Sequence, residues 1–144
     1  MRVQILAVAG ALMLSMVAAS ECRAQSRALE ANIPFAFEAG NRTMPAGNYR
    51  IESMPTGGGS LQVIRSAEGE AKATITTITE AAPDAAAGPG LVFHRYGSQY
   101  FLAQIRTGDG RAREIFPSRQ EKEVARMQTR TEVALMARAA APKQ

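Results

Sequence analysis

The stretch Leu91–Ile105, LVFHRYGSQYFLAQI, carries the pattern of a β-hairpin. Two runs of apolar and aromatic residues flank Gly97-Ser98. A glycine first in a two-residue loop favours the tight turn whose twist matches that of paired strands. In this register His94 lies across from Phe101 on the neighbouring strand. The stretch therefore predicts two antiparallel strands on either side of the loop.

Further short strands are predicted on both sides of this hairpin. They are rich in β-branched or alternating apolar residues, and Gly, Pro and Asn separate them at short intervals. These strands lie near residues 33–38, 48–54, 61–65, 71–79 and 111–116. The fold class expected is mainly β: an antiparallel sheet of about seven or eight short strands, curled into a small barrel or sandwich.

The last part of the chain shows a different pattern. Ser118 and Glu121 have the spacing of a helix capping box, and no glycine or proline follows before residue 142. The sequence predicts one C-terminal α-helix over residues 117–139, packed on the sheet or covering its open end, and a disordered tail over residues 140–144.

The first 24 residues have the layout of a secretory signal peptide. A short positive start precedes an uncharged apolar run, and Cys22 and Ala24 are the small residues of a cleavage site. We expect cleavage near Ala24, a periplasmic or secreted mature protein without stable membrane anchoring, and a flexible lead-in over residues 25–32 before a β domain at 33–116. An uncleaved anchor and a lipoprotein built on Cys22 are the alternatives.

Composition excludes several classes of function. The chain has one histidine, one cysteine and a net charge of +4 at pH 7. Because the cysteine precedes the predicted cleavage site, the mature protein has no disulfide and no normal zinc site, and we expect neither metal nor cofactor. The basic residues are interspersed with acidic ones and do not form a dense positive patch, so binding to nucleic acid is not expected.

His94 is the only side chain that suggests catalysis. A small hydrolase-like enzyme would need a nucleophile beside this imidazole and a carboxylate behind it. Asp84 and Asp109, the only aspartates, both lie in predicted loops. A histidine within a hairpin core is the simpler interpretation, so no catalytic residue is assigned and the enzyme is kept as the alternative.

The preferred hypothesis is a non-catalytic exported domain that binds a partner protein or a small apolar ligand in the cell envelope. A curled sheet can enclose a cavity. The candidate ligand-binding residues are the apolar and aromatic ones of the central strands together with the histidine: Phe35, Phe37, Tyr49, Phe93, His94 and Leu102. A protein partner bound through the C-terminal helix would instead require that Met127 and Leu135 be exposed.

Three motifs together resemble a family of small exported bacterial proteins of unknown function. They are ANIPFAFEAGNRTMPAGNYRI, LVFHRYGSQYFLAQI and GRAREIFPSRQEKEVA, which cover most of residues 31–126. The resemblance implies a signal peptide, an exported β domain and a charged C-terminal helix. It implies no activity, cofactor or site, and it gives His94 no role.

Overall fold

The computed structural model describes residues 28–56, 59–82 and 84–141. The predicted signal peptide, its cleavage site and the last three residues of the predicted tail lie outside this part of the chain. The described residues are mainly β, with a single α-helix of seven residues. The predicted fold class is therefore confirmed at the level of a curled, mainly β sheet with one helix.

The elements of the described residues are named in chain order. The strands are β1 (Leu29–Ile33), β2 (Phe37–Ala39), β3 (Arg42–Met44), β4 (Gly47–Thr56), β5 (Gly59–Ser66), β6 (Lys72–Ala81), β7 (Gly90–Tyr96), β8 (Gln99–Arg106), β9 (Arg111–Ile115), β10 (Thr131–Met136) and β11 (Arg138–Ala139). The helix α1 spans Arg119–Ala125, and a 3-10 turn spans Ala85–Ala87.

The predicted hairpin is confirmed as β7 and β8. His94 pairs with Phe101, and Phe93 pairs with Leu102. Gly97 opens the turn with a φ of 59°, a left-handed conformation that costs a glycine little. The hairpin lies inside one sheet whose strand order is β10-β7-β8-β9-β6-β5-β4-β1-β11.

The two ends of this strand order belong to one C-terminal segment. β10 pairs with β7 and β11 pairs with β1, and Ala137 alone separates β10 from β11. The pairing is antiparallel except for one parallel bridge between β2 and β8. The sheet is curled because a single segment of the chain contacts strands at both of its ends.

The prediction of a helix over residues 117–139 is wrong beyond Ala125. Residues 131–136 form β10 and pair with all six residues from Gly90 to Arg95. Val133 and Leu135 are half-buried while their neighbours are exposed, which is the two-residue period of a strand. The free edge of β7 overrides the helix-compatible spacing because backbone pairing and burial outweigh small differences in propensity.

The predicted lead-in and strand count also need correction. Residues 29–32 belong to β1, which pairs with β4 along its whole length. The strand predicted near residues 33–38 is interrupted. β1 ends at Ile33 before Pro34, β2 begins at Phe37, and a turn after Ala39 separates β2 from β3. The described sheet therefore has eleven strands, and it is not clearly a barrel or a sandwich.

The concave face of the sheet holds the main hydrophobic core. Its largest fully buried side chains come from β1 to β8 and include Phe37, Phe93 and Tyr49. Tyr49 donates a hydrogen bond of 2.5 Å from its hydroxyl to the carbonyl oxygen of Pro45. This bond satisfies the polar end of a side chain that is only 2% exposed, and burial raises the pKa of Tyr49.

We predict that Phe93→Ala destabilises the fold by about 3–5 kcal/mol, because it removes a large side chain from a close-packed core. Phe93 is 0% exposed, whereas Phe116 is 62% exposed. The matched substitution Phe116→Ala should therefore change the free energy of unfolding by less than about 0.5 kcal/mol. Urea unfolding of both variants measures the difference, and equal losses would contradict this location of the core.

Candidate functional site

The structure brings the predicted ligand-binding residues together, but mostly as core. Phe37, Tyr49, Phe93 and Leu102 are at most 3% exposed. Phe37 makes edge-to-face contacts with Tyr49 and Phe93, with ring centroids 5.3 and 5.4 Å apart. Phe35 is half-buried and stacks on Tyr100 at 3.8 Å. These side chains contact one another, so their packing alone accounts for their burial.

His94 lies on the opposite, convex face of the sheet, between two carboxylates. Its Nδ1 atom is 2.7 Å from Oε1 of Glu121, and its Nε2 atom is 3.9 Å from Oε1 of Glu132. The exposed fractions of these side chains are 16% for His94, 6% for Glu121 and 62% for Glu132. The imidazole thus joins β7 to α1 through a close contact and faces β10 through a longer one.

Glu121 is held in place by the start of α1. Ser118 is the N-cap, and its hydroxyl accepts a 3.1 Å hydrogen bond from the Glu121 backbone N–H, as the capping box predicts. The Glu121 side chain does not reach back to the cap. It turns into the sheet, where it accepts hydrogen bonds from His94 and, at 3.3 Å, from the Tyr96 hydroxyl. Burial and this carboxylate raise the pKa of Tyr96.

This cluster fixes the helix to the sheet. Val124 of α1 packs beside Tyr96 and Phe101, and the Glu121–His94 hydrogen bond forms next to these buried side chains. Nucleophilic catalysis would require a nucleophile that His94 activates. Both nitrogens of the ring face carboxylates, however, and within the described residues no hydroxyl is hydrogen-bonded to the imidazole. The geometry supports a structural role for His94.

A groove lies where the C-terminal segment passes from β7 to β1. It has a volume of about 730 Å³. Its lining comes from four separate parts of the sequence: Glu30, Ala31, Asn32, Asn48, Tyr49, Arg50, Ala67, Met136, Ala137 and Arg138. Of the residues proposed from the sequence, only Tyr49 lies there.

The groove combines ion pairs with an exposed apolar side chain. Arg50 lies 3.2 Å from Glu30 and 2.9 Å from Glu52, and Arg138 lies 3.3 Å from Glu30. The Arg50 side chain is 22% exposed, whereas that of Arg138 is 82% exposed. Met136 is 74% exposed. The wall therefore offers one accessible guanidinium and one apolar contact to an incoming molecule.

The groove follows a break in strand pairing. β1 pairs with β11 only through Leu29 and Glu30, and the described part of β10 pairs only with β7. Residues 31–33 of β1 and Thr131–Met136 of β10 therefore each have an edge without a paired strand in the described structure. We call these two edges the seam. No local pattern in the sequence reveals it, because the seam depends on which strands pair.

No protein-family model, curated protein or solved structure matches this chain. Within residues 28–56, 59–82 and 84–141, no group of three or more His, Cys, Asp or Glu side chains is placed to hold a metal ion. No helix in those ranges is long and apolar enough to cross a bilayer. The proposed function therefore rests on the arrangement of the described residues.

We predict that His94→Ala destabilises the protein by about 1–3 kcal/mol, because the buried Glu121 carboxylate loses its shortest hydrogen bond. His94→Asn retains a hydrogen-bond donor near the position of Nδ1, so its loss of stability should be smaller. Glu132→Gln changes an exposed group and should stay within about 0.5 kcal/mol. Chemical unfolding of the three variants compares these effects. An unchanged free energy of unfolding in His94→Ala would contradict the role of the His94–Glu121 contact in holding α1 on the sheet.

The pKa of Glu114 on β9 is raised, first by a hydrogen bond with Glu80, then by burial and by the charge of Glu80, while His94 lowers it. The folded state therefore holds this proton more tightly than the unfolded state. The associated stability is present at low pH and is lost as the pH rises through the raised pKa. We expect Glu114→Gln to gain about 0.5 kcal/mol over the parent at neutral pH and to lose that advantage in acid. Unfolding of both proteins across this pH range provides the test, and a constant difference would contradict it.

Proposed function

We propose that the protein is an exported, non-catalytic β domain of the cell envelope and that it binds a partner protein in the groove beside the seam. The groove is the observation that carries this proposal. It is open, its wall is both charged and apolar, and it borders strand edges that lack neighbours in the described residues. Extended segments of other proteins bind to edges of this kind.

A partner protein fits these features better than a small apolar ligand does. The aromatic residues that the sequence suggested as the lining of a ligand cavity pack against one another in the core. The concave face also contains a buried polar network in which the hydroxyls of Ser60 and Thr77 are 2.8 Å apart and Gln62 donates to Ser53. A wholly apolar ligand would have to displace packed rings or contact these polar groups.

The partner need not bind through the C-terminal helix, as first hypothesised. Leu135 lies half-buried in β10 and not on a helix, whereas Met127, just beyond α1, is 79% exposed. The buried face of α1 is already occupied by its contacts with the sheet. Export, the finer description of the curled sheet as a small barrel or sandwich, and cleavage near Ala24 belong to the same proposal and rest on the sequence.

Photocrosslinking in the native host tests the binding site. A photoreactive phenylalanine analogue replaces Met136 in the groove or, as a matched control, Thr74 on the exposed side of β6. We expect one reproducible adduct at position 136, none at position 74, and a several-fold loss of the adduct in Arg138→Glu. Equal labelling at both positions, or no adduct at either, would overturn the proposal. Mass spectrometry of the purified protein checks export by reading whether the chain begins at Gln25.

A further inference from the structure

The direction of the backbone groups along the C-terminal segment points to a mode of binding. The Ala137 N–H donates to the Pro89 carbonyl on the β7 side at 3.1 Å, whereas the Ala140 N–H donates to the Ala28 carbonyl on the β1 side at 2.8 Å. Backbone groups alternate between the two sides of a strand. The N–H groups of Glu132, Ala134 and Met136 therefore face the β1 side.

On that side the pairing stops early. The register that joins Glu30 to Arg138 would next join Asn32 to Met136, but the described pairing between β1 and the C-terminal segment ends at Glu30. Pro34 follows closely on β1, and the chain then leaves to form β2 beside β8. Within the described residues, the edge of β10 consequently presents three alternate N–H and C=O sets, at Glu132, Ala134 and Met136, and the set at Met136 lies in the groove.

The sequence of this edge lacks the usual protection against added strands. β10 reads TEVALM, with one charge, no proline and no glycine. Exposed strand edges are normally short, bulged or covered, or they carry lysine or proline. A six-residue edge of this composition is a template for another strand.

We propose that an extended segment of a partner protein adds to β10 as an antiparallel strand at the seam, a mode that rests on the proposed function. The side chains of the groove define the chemistry of this segment. An apolar residue fits over the exposed Met136. A carboxylate pairs with the side of the Arg138 guanidinium that its 3.3 Å ion pair with Glu30 leaves open, since the Arg138 side chain is 82% exposed. Backbone hydrogen bonds supply the affinity and these two contacts supply the register.

A proline substitution separates strand addition from other contacts in the groove. Ala134→Pro removes one N–H on the seam side and leaves the groups that face β7 in place. Proline is tolerated on an edge strand when its position is not needed for pairing. Ala134→Ser is the matched control, because it keeps the N–H at a site of similar size.

The first measurement uses the crosslinking assay with the photoreactive residue at position 136. We expect Ala134→Pro to reduce the adduct at least about tenfold, the equivalent of ~1.4 kcal/mol, and Ala134→Ser to retain it. Circular dichroism and thermal unfolding establish that Ala134→Pro is folded. An adduct that persists in folded Ala134→Pro would overturn strand addition and leave the proposed function intact. If the protein that carries only the photoreactive residue at position 136 forms no adduct, the proposed function itself is contradicted.

Hydrogen exchange on the intact protein gives an independent test that does not depend on the proline variant. The probe is an end-capped seven-residue peptide of alternating valine and glutamate, and its control carries lysine in place of glutamate. We expect the glutamate peptide to slow exchange at Glu132, Ala134 and Met136, and the lysine peptide to have less effect. Protection confined to α1, or protection that appears with rising protein concentration alone, would overturn the proposal, the latter in favour of a second copy of this chain.

Discussion

The structure depends on the double pairing of the C-terminal segment. Through β10 it extends the hairpin of β7 and β8, and through β11 it contacts β1, so one short stretch joins strands that are far apart in the sheet order. Without it, the half-buried Val133 and Leu135 would leave the edge of the concave core. The same segment forms one wall of the groove, so the element that curls the sheet also supplies the proposed binding surface.

The helix and the histidine support this arrangement from outside. α1 is too short to be stable alone, and it is held by Val124 and by the Glu121 side chain. Because residues 126–130 connect α1 directly to β10, fixing the helix on the sheet limits where β10 can begin. A buried carboxylate bound to imidazole and phenol groups is a common feature of active sites. Here the second carboxylate, Glu132, and the surrounding packing favour a structural role, in which His94 holds α1 against the sheet.

Folding also separates apolar from polar interaction surfaces in this protein. The large aromatic side chains are used for core packing, which suits a domain whose only cysteine precedes the predicted cleavage site and which must rely on packing for stability. In the proposed mode of binding, recognition uses backbone edges, Arg138 and the exposed Met136. A surface of this kind suits extended segments of protein better than compact apolar molecules, because in the described residues it includes main-chain groups of a strand edge without a paired strand.

The sequence by itself determined the β class, the β7–β8 hairpin with its register, and the cap at Ser118. Each of these follows from contacts between residues close in the chain: a two-residue turn, a period of two, and a side chain three residues from its acceptor amide. Only the tertiary structure decided the state of residues 131–139, since their spacing suits a helix as well as a strand and the free edge of β7 settles the choice. It alone also placed Glu121 against His94 and formed the groove from residues near 30, 50 and 137, because strand order depends on the whole sheet and not on any local pattern.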